Sequence, residues 1–377
     1  MFKRVICLTM TFFVLITSVA LAYDESTLNS KSAILGDSKS GMIMFEHNAD
    51  ERLPIASMTK IMTMLLTMEA IDSGKITIND IVVVSENAAK KEGSHVFLSP
   101  GENISVNDLL KAVAVSSGND AATALAEYVG GNLENFIQMM NDKAKELNMT
   151  NTNFVNCNGL DAENHYSSAR DVFIMSRELL KHSKITEYTT IWMDTLRNGT
   201  FGLSNTNKLV RHYDGTTGLK TGSTDVAGFC VSASAIRNNM HLISVVVGAD
   251  TSQHRFADAS NLLNYGFNSF KAINKGEMGQ IHKYIKIEKS RNKLYPVAYK
   301  ENIDIICEKT VDEKEIKIEE IIYENLKAPI ETNVKVGEVV VKKGELVLGK
   351  TDLVTKEQVE KITIMSVLNE MTKTVFN

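Results

Sequence analysis

The chain has 377 residues, 44% of them hydrophobic and 23% charged, with a formal net charge of −5 at pH 7. That acidic balance excludes the basic footprint of a nucleic-acid binder, and four cysteines in so long a chain exclude a dense disulfide framework. The length exceeds what one ordinary core can fill, so two domains are expected.

The first 22 residues read as a secretory signal peptide. Lys3 and Arg4 are followed by an apolar run over residues 5–16, and Ala20-Leu21-Ala22 supplies a small-residue cleavage pattern before Tyr23. Cleavage removes two basic residues, giving −5 − 2 = −7, and puts the mature protein outside the cytoplasmic membrane. Three cysteines survive it, Cys157, Cys230 and Cys307. An odd count leaves at least one free thiol, and all three are expected as ordinary core or loop residues.

"SAILGDSKSGMIMFE" predicts a hairpin with its turn over residues 36–41. Next, "RLPIASMTKIMTMLL" leads into a helix from Ser57 to about Ile71 that is apolar on nearly every face, which marks it as buried. "VNDLLKAVAVSS" and "DAATALAEYVG" predict two helices meeting over residues 116–120. An amphipathic helix ends near Met149, residues 150–168 are polar and loop-like, and "ARDVFIMSRELLKH" is helical again. From Gly215 the texture turns to strands, "AGFCVSASAI" and "MHLISVVVGAD", before the helix "FADASNLLNYGF". Strands bracketing a helical middle imply an α/β (α+β) domain in which the first strands pair with the last.

After about residue 270, alternations such as "EIKIEEIIY" and "NVKVGEVVVKKGELVLG" predict a small all-β module. The expected organisation is a signal peptide (1–22), a catalytic domain (23–272), a β-rich domain (273–354) and a C-terminal amphipathic helix (355–377). Val359, Ile362, Met365, Leu368, Met371 and Val375 recur at helical spacing in that last segment. Its apolar stripe is suited either to a membrane surface or to packing on its own domain.

Ser57 and Lys60, three apart at the mouth of the buried helix, are the first chemical signal, since residues i and i+3 share a helix side. Alone it is weak, because Ser290 and Lys293 repeat the spacing in a charged stretch. Weight comes from the ordered set: Ser57/Lys60, then Ser117-Gly118-Asn119 at a turn between helices, then Lys220-Thr221-Gly222 at a strand entrance. These three motifs together mark the penicillin-interacting serine enzymes.

On these motifs the first 270 residues resemble the serine D-alanyl-D-alanine carboxypeptidases, the low-molecular-mass penicillin-binding proteins. "PIASMTKIMT", "SSGNDAATALAEYVGG", "NGLDAENHYSSARD" and "GLKTGSTDVAGFC" carry the likeness, and the β-rich tail resembles that family's C-terminal domain. The resemblance implies a serine β-lactamase/transpeptidase-like fold, an antiparallel sheet of about five strands flanked by helices.

It also implies roles. Ser57 attacks the carbonyl of the penultimate D-Ala, with Lys60 as its base. Burial and the nearby Lys220 cation both lower a lysine's pKa, which populates the neutral amine a base requires. The backbone N–H groups of Ser57 and Ser223 form an oxyanion hole, Ser117 relays a proton, and Asn119 holds the substrate amide. Lys220, Thr221, Gly222 and Arg255 line the carboxylate site. Peptidoglycan stem peptides ending in D-Ala-D-Ala and β-lactam antibiotics are the implied partners. No metal or cofactor is expected, since no ligand-spaced cluster occurs.

His165 and Asp161 do not form a triad with Ser57 in this reading, because Lys60 already fills the base role. A class A β-lactamase is disfavoured: the second motif is Ser-Gly-Asn rather than Ser-Asp-Asn, and no Glu-x-x-Leu-Asn string lies between the second and third motifs. A D,D-endopeptidase acting on cross-links and an idle wall-binding protein stay open as alternatives.

Overall fold

The computed structural model describes residues 23–365; the expected signal peptide and the end of the C-terminal segment lie outside them. In chain order, β1 (Ser32–Asp37) and β2 (Ile43–His47) form the expected hairpin, and α1 (Lys60–Asp72) follows a 3₁₀ turn over Ala56–Thr59. The short strands β3 (Ile81–Val83) and β4 (Asn103–Ser105) bracket the one-turn α2 (Glu86–Ala89). Then come α3 (Val106–Ser116), α4 (Asn119–Gly130), α5 (Leu133–Glu146), α6 (Ala169–Lys181) and α7 (Ile185–Thr189).

A second hairpin, β5 (Met193–Leu196) and β6 (Phe201–Ser204), precedes α8 (Leu209–His212). The long strands β7 (Thr216–Thr224), β8 (Gly228–Arg237) and β9 (Met240–Ala249) end in α9 (Ser252–Ser269). The main sheet is antiparallel in the order β2-β1-β9-β8-β7. As expected, the first strands pair with the last, β1 against β9 with Ile34 opposite Val245. Strand β7, which carries Lys220 to Ser223, is therefore an edge.

Helix α1 sits among α3, α4, α5 and α6. Ten of its 13 residues are buried, Lys60 among them. Each buried Met or Leu contributes roughly 1.5–3 kcal/mol relative to exposure, so the helix is fixed from all sides and its first turn cannot drift. Helix caps also follow the sequence: Ser105 and Ser168 cap α3 and α6, their hydroxyls accepting from the backbone N–H of Asp108 and Asp171.

In the β-rich domain, β10 (Phe270–Asn274) pairs with β13 (Asp304–Glu308). A five-stranded sheet runs β11 (Ile281–Ile285), β12 (Tyr295–Tyr299), β16 (Leu346–Thr355), β15 (Lys335–Lys343), β14 (Ile316–Ile322). Strand β10 straddles the boundary expected at 273: its backbone pairs with β13, while Phe270 packs with Leu263 and Phe267 of α9.

The expected helix from residue 355 onward needs correction. Thr355 ends β16, and Val359 exchanges backbone bonds with Ile330 in both directions. Val359 is fully buried with Ile285, Ile287, Tyr295 and Val297. The apolar residues at helical spacing are thus divided: Val359 serves the β-domain core, while Ile362 and Met365 are exposed; helical backbone starts only at Ile364, and residues 366–377 lie outside the described part. Val359→Ala should cost about 2 kcal/mol, read as a lower denaturant midpoint for the β domain. An unchanged midpoint would return the segment to the surface.

Candidate functional site

The 3₁₀ turn before α1 has three residues per turn, so side chains at i and i+3 eclipse. It carries Ser57 above Lys60 and sets Oγ 2.8 Å from Nζ. Two further acceptors surround the amine: Asn119 Oδ1 at 2.6 Å and the backbone oxygen of Asn158 at 2.6 Å. A neutral lysine has two N–H groups and one lone pair. As an ammonium, Nζ donates to all three oxygens, and Ser57 Oγ donates to Asn158 O at 3.4 Å; on losing a proton, Nζ keeps its two N–H groups for the acceptor-only carbonyls, and its lone pair faces Ser57 Oγ.

Lys60 is fully buried and its pKa is lowered to about 7. Burial is the dominant cause; Cys157 and Asp120 pull weakly the other way. Lys220, also buried, is pushed well below the ordinary lysine value, first by burial and then by repulsion from Lys60 and Arg255. The expected effect on Lys60 therefore comes mainly from desolvation, and the mutual repulsion weighs on Lys220.

Each motif is held by a different element. Ser117 ends α3 in the left-handed conformation (φ 62°), its N–H bonded to Ala112 O, which turns the chain back into the site. Asn119 opens α4, with its Nδ2 donating to Glu92 O at 2.6 Å. Strand β7 presses against the turn that carries Ser57: a Cβ on Gly222 would stand 2.8 Å from Ser57 N and 2.7 Å from Ile55 O. Gly159 approaches from the other side, where a Cβ would lie 2.0 Å from Ala56 O. Only glycine permits both approaches, and together they fix the Ser57 amide.

Thr221 Oγ1 donates to Thr206 Oγ1 at 2.7 Å, and Lys220 Nζ donates to Thr221 O at 2.9 Å. Arg255, in the first turn of α9, lies behind β7. Its Nη1 donates to Gly222 O at 3.0 Å and to Cys230 O at 3.3 Å. It braces the strand and brings positive charge to it; burial lowers its pKa to about 10, which leaves it charged at neutral pH. Ser223, beyond Gly222, is exposed at the open end of the strand.

The structure thus gathers Ser57, Lys60, Asn119 and Asn158 in one hydrogen-bonded cluster, with Ser117, Lys220 and Thr221 buried in the walls. Asn158 and Thr206 escaped the sequence reading. Asn158 acts through its main-chain oxygen, which no side-chain pattern reveals. His165 takes no part in the cluster: Val155 N donates to its Nδ1, its Nε2 meets Thr59 Oγ1 at 2.8 Å, and burial lowers its pKa to about 4. Asp161 accepts from Thr224 instead. Cys157, Cys230 and Cys307 are free and buried.

Residues 19–251 match the family model described as D-alanyl-D-alanine carboxypeptidase, and residues 267–361 match that described as penicillin-binding protein 5, C-terminal domain. The chain is 41% identical over 347 residues to the D-alanyl-D-alanine carboxypeptidase DacF of Bacillus subtilis, covering 91% of this chain and 89% of that protein. Penicillin binding protein 5 from Haemophilus influenzae superposes with a TM-score of 0.76 at 31% identity, over 89% of this chain and 98% of that one. Penicillin-binding protein D2 from Listeria monocytogenes, solved in a cefotaxime-bound form, superposes with a TM-score of 0.59 at 34% identity, over 64% of this chain and 98% of that one.

An amine with its pKa lowered to about 7 is protonated below that pH and neutral above it, where it can accept a proton. Acylation of Ser57 by benzylpenicillin should therefore accelerate as pH rises through about 7, followed by stopped-flow at fixed ionic strength. A rate flat from pH 5 to about 9, where an unshifted lysine is still charged, would remove Lys60 from the base role.

Proposed function

Because this chain belongs to the D-alanyl-D-alanine carboxypeptidase family, we propose that it removes the terminal D-alanine from peptidoglycan stem pentapeptides through an acyl-enzyme on Ser57. The observation that carries this reading is the arrangement around Lys60, whose amine meets two acceptor-only oxygens and the Ser57 hydroxyl.

Lys60 takes the hydroxyl proton as Ser57 Oγ bonds to the carbonyl carbon of the penultimate D-Ala. The backbone N–H groups of Ser57 and Ser223 receive the developing oxyanion, and fixed donors there favour the transition state without reorganising. Ser117 passes the proton to the leaving D-Ala amine as the peptide bond breaks. Lys220 and Thr221 hold the terminal carboxylate, the Thr221 hydroxyl turning from Thr206 to do so, while Arg255 supplies charge from behind. Asn119 keeps one Nδ2 hydrogen on Glu92 and offers the other to the substrate amide. Water then attacks the ester carbonyl as Lys60 takes its proton, and the amine passes that proton to Ser57 Oγ as the ester bond breaks, which restores the hydroxyl and the neutral lysine.

β-Lactams acylate the same serine in this reading. The lack of a Glu-x-x-Leu-Asn string between the second and third motifs supports a long-lived adduct rather than β-lactamase turnover. The protein acts outside the cytoplasmic membrane, on the wall side. Ile364, 82% exposed, and Met365, 66% exposed, suit peripheral contact of the C-terminal segment with the membrane surface.

The test is D-Ala release from an N-acylated L-Lys-D-Ala-D-Ala peptide by the mature protein, with benzylpenicillin labelling alongside. Release should fall by about 10⁴-fold or more in Ser57→Ala, and the penicillin adduct should persist on the wild-type protein. Rapid penicillin turnover would make it a β-lactamase. A stable adduct without D-Ala release, but with cleavage of cross-linked dimers, would make it an endopeptidase.

A further inference from the structure

Residues 91–98, between α2 and β4, carry none of the three catalytic motifs, yet they are wired into the site. Asn119 N donates to Ser94 O at 2.6 Å and Asn119 Nδ2 to Glu92 O at 2.6 Å. A Cβ on Gly93 would stand 2.7 Å from Asn119 Nδ2 and 3.6 Å from Leu160 Cδ2, so this loop and the Asn158 loop close around Asn119.

The tip is fixed from two sides. The Asp120 carboxylate, in α4, accepts from Val96 N and Leu98 N at 3.0 Å each. From the β5–β6 hairpin, Arg197 donates to Val96 O at 3.0 Å and Phe97 O at 2.9 Å. The same guanidinium pairs with Glu102 at 2.8 Å, which offsets its charge, and lies over the Phe201 ring.

All this polar bonding holds Phe97 in the left-handed region, φ 57°, a conformation that bulky side chains rarely adopt. The consequence is outward display: Val96 and Leu98 are buried, while Phe97 is 66% exposed. Its ring meets His95 edge-on at 4.1 Å between centroids and Phe201 at 6.1 Å. A large ring, strained backbone and six fixed polar contacts make a built feature, and the loop that carries it touches, through Glu92, Gly93 and Ser94, the residue proposed to hold the substrate amide.

We propose that Phe97 is a specificity-determining residue, its ring receiving the side chain of the residue that precedes D-Ala-D-Ala, a long aliphatic chain ending in an ammonium group. This rests on the carboxypeptidase reading. With the carboxylate at Lys220 and Thr221 on β7 and the scissile carbonyl at Ser57, the acyl portion leaves past Asn119, towards residues 91–98. An aromatic face with its neighbouring guanidinium already paired suits methylenes and an ammonium, through packing and cation–π attraction.

The experiment compares D-Ala release from N-acylated L-Lys-D-Ala-D-Ala and N-acylated L-Ala-D-Ala-D-Ala by wild type, Phe97→Ala and Phe97→Tyr. Wild type and Phe97→Tyr should prefer the lysine peptide by about fivefold in kcat/KM, the scale of one exposed cation–π contact. Phe97→Ala should lose that preference. Acylation by 6-aminopenicillanic acid, which has no acyl side chain, should be the same in all three. Equal use of both peptides by wild type, or parallel losses with both peptides and the bare nucleus in Phe97→Ala, would overturn the subsite while leaving the activity intact. Release from neither peptide by wild type would instead sink the carboxypeptidase reading beneath it.

Discussion

A buried amine is the constraint on which the rest of this structure depends. Lys60 lies wholly out of solvent, where an ammonium without compensation is costly. The protein resolves this by letting the amine approach neutrality and by meeting its two N–H groups with two carbonyl oxygens, the Asn119 side chain at the start of α4 and the Asn158 main chain. What stays uncommitted is a lone pair facing a serine. The same desolvation that threatens the fold populates the neutral amine.

Such a site tolerates little play, and the scaffold allows little. Helix α1 is gripped on all sides, so the turn carrying Ser57 inherits the rigidity of the core. Two glycines bring β7 and the Asn158 loop against the backbone on either side of Ser57, closer than any side chain would permit. Arg255 braces the rear of β7 through the carbonyls of Gly222 and Cys230. Because β7 is the edge of its sheet, its outer side stays unpaired by neighbouring strands and open to an extended ligand.

The β domain joins this scaffold closely. Strand β10 follows α9 without a linker, and Lys309 N bonds back to Ser269 O. Lys39, in the turn of the first hairpin, lies 3.8 Å from Asp304 of the β domain, with a cleft of about 870 Å³ beside them. The wall of the β domain is completed by residues past its last long strand, with Val359 as the plug. Periodicity misled over residues 355–363 because Val359 shares helical spacing with Ile362 and Met365 but not their environment: it is buried and they are exposed. The β5–β6 hairpin also went unread, although Asn198-Gly199 is a turn signal of the usual kind.

Spacing and order in the sequence singled out Ser57, Lys60, Ser117, Asn119, Lys220 and Thr221 as candidates, because such a motif is a statement about side-chain types at fixed separations; the fold buries all but Ser57, which Lys60 holds by a hydrogen bond. The hairpin, the buried helix, the long strands and the β-rich tail were legible for the same reason: each is a local pattern. Tertiary structure alone decided which main-chain oxygens and distant side chains come to lie around those candidates. Asn158 contributes an oxygen that every residue has, Thr206 takes the Thr221 hydroxyl across 15 positions, and Phe97 faces outward because Asp120 and Arg197 hold its neighbours. Those choices depend on groups distant in sequence arriving within 3 Å or so of one another, and only the packed chain brings them there.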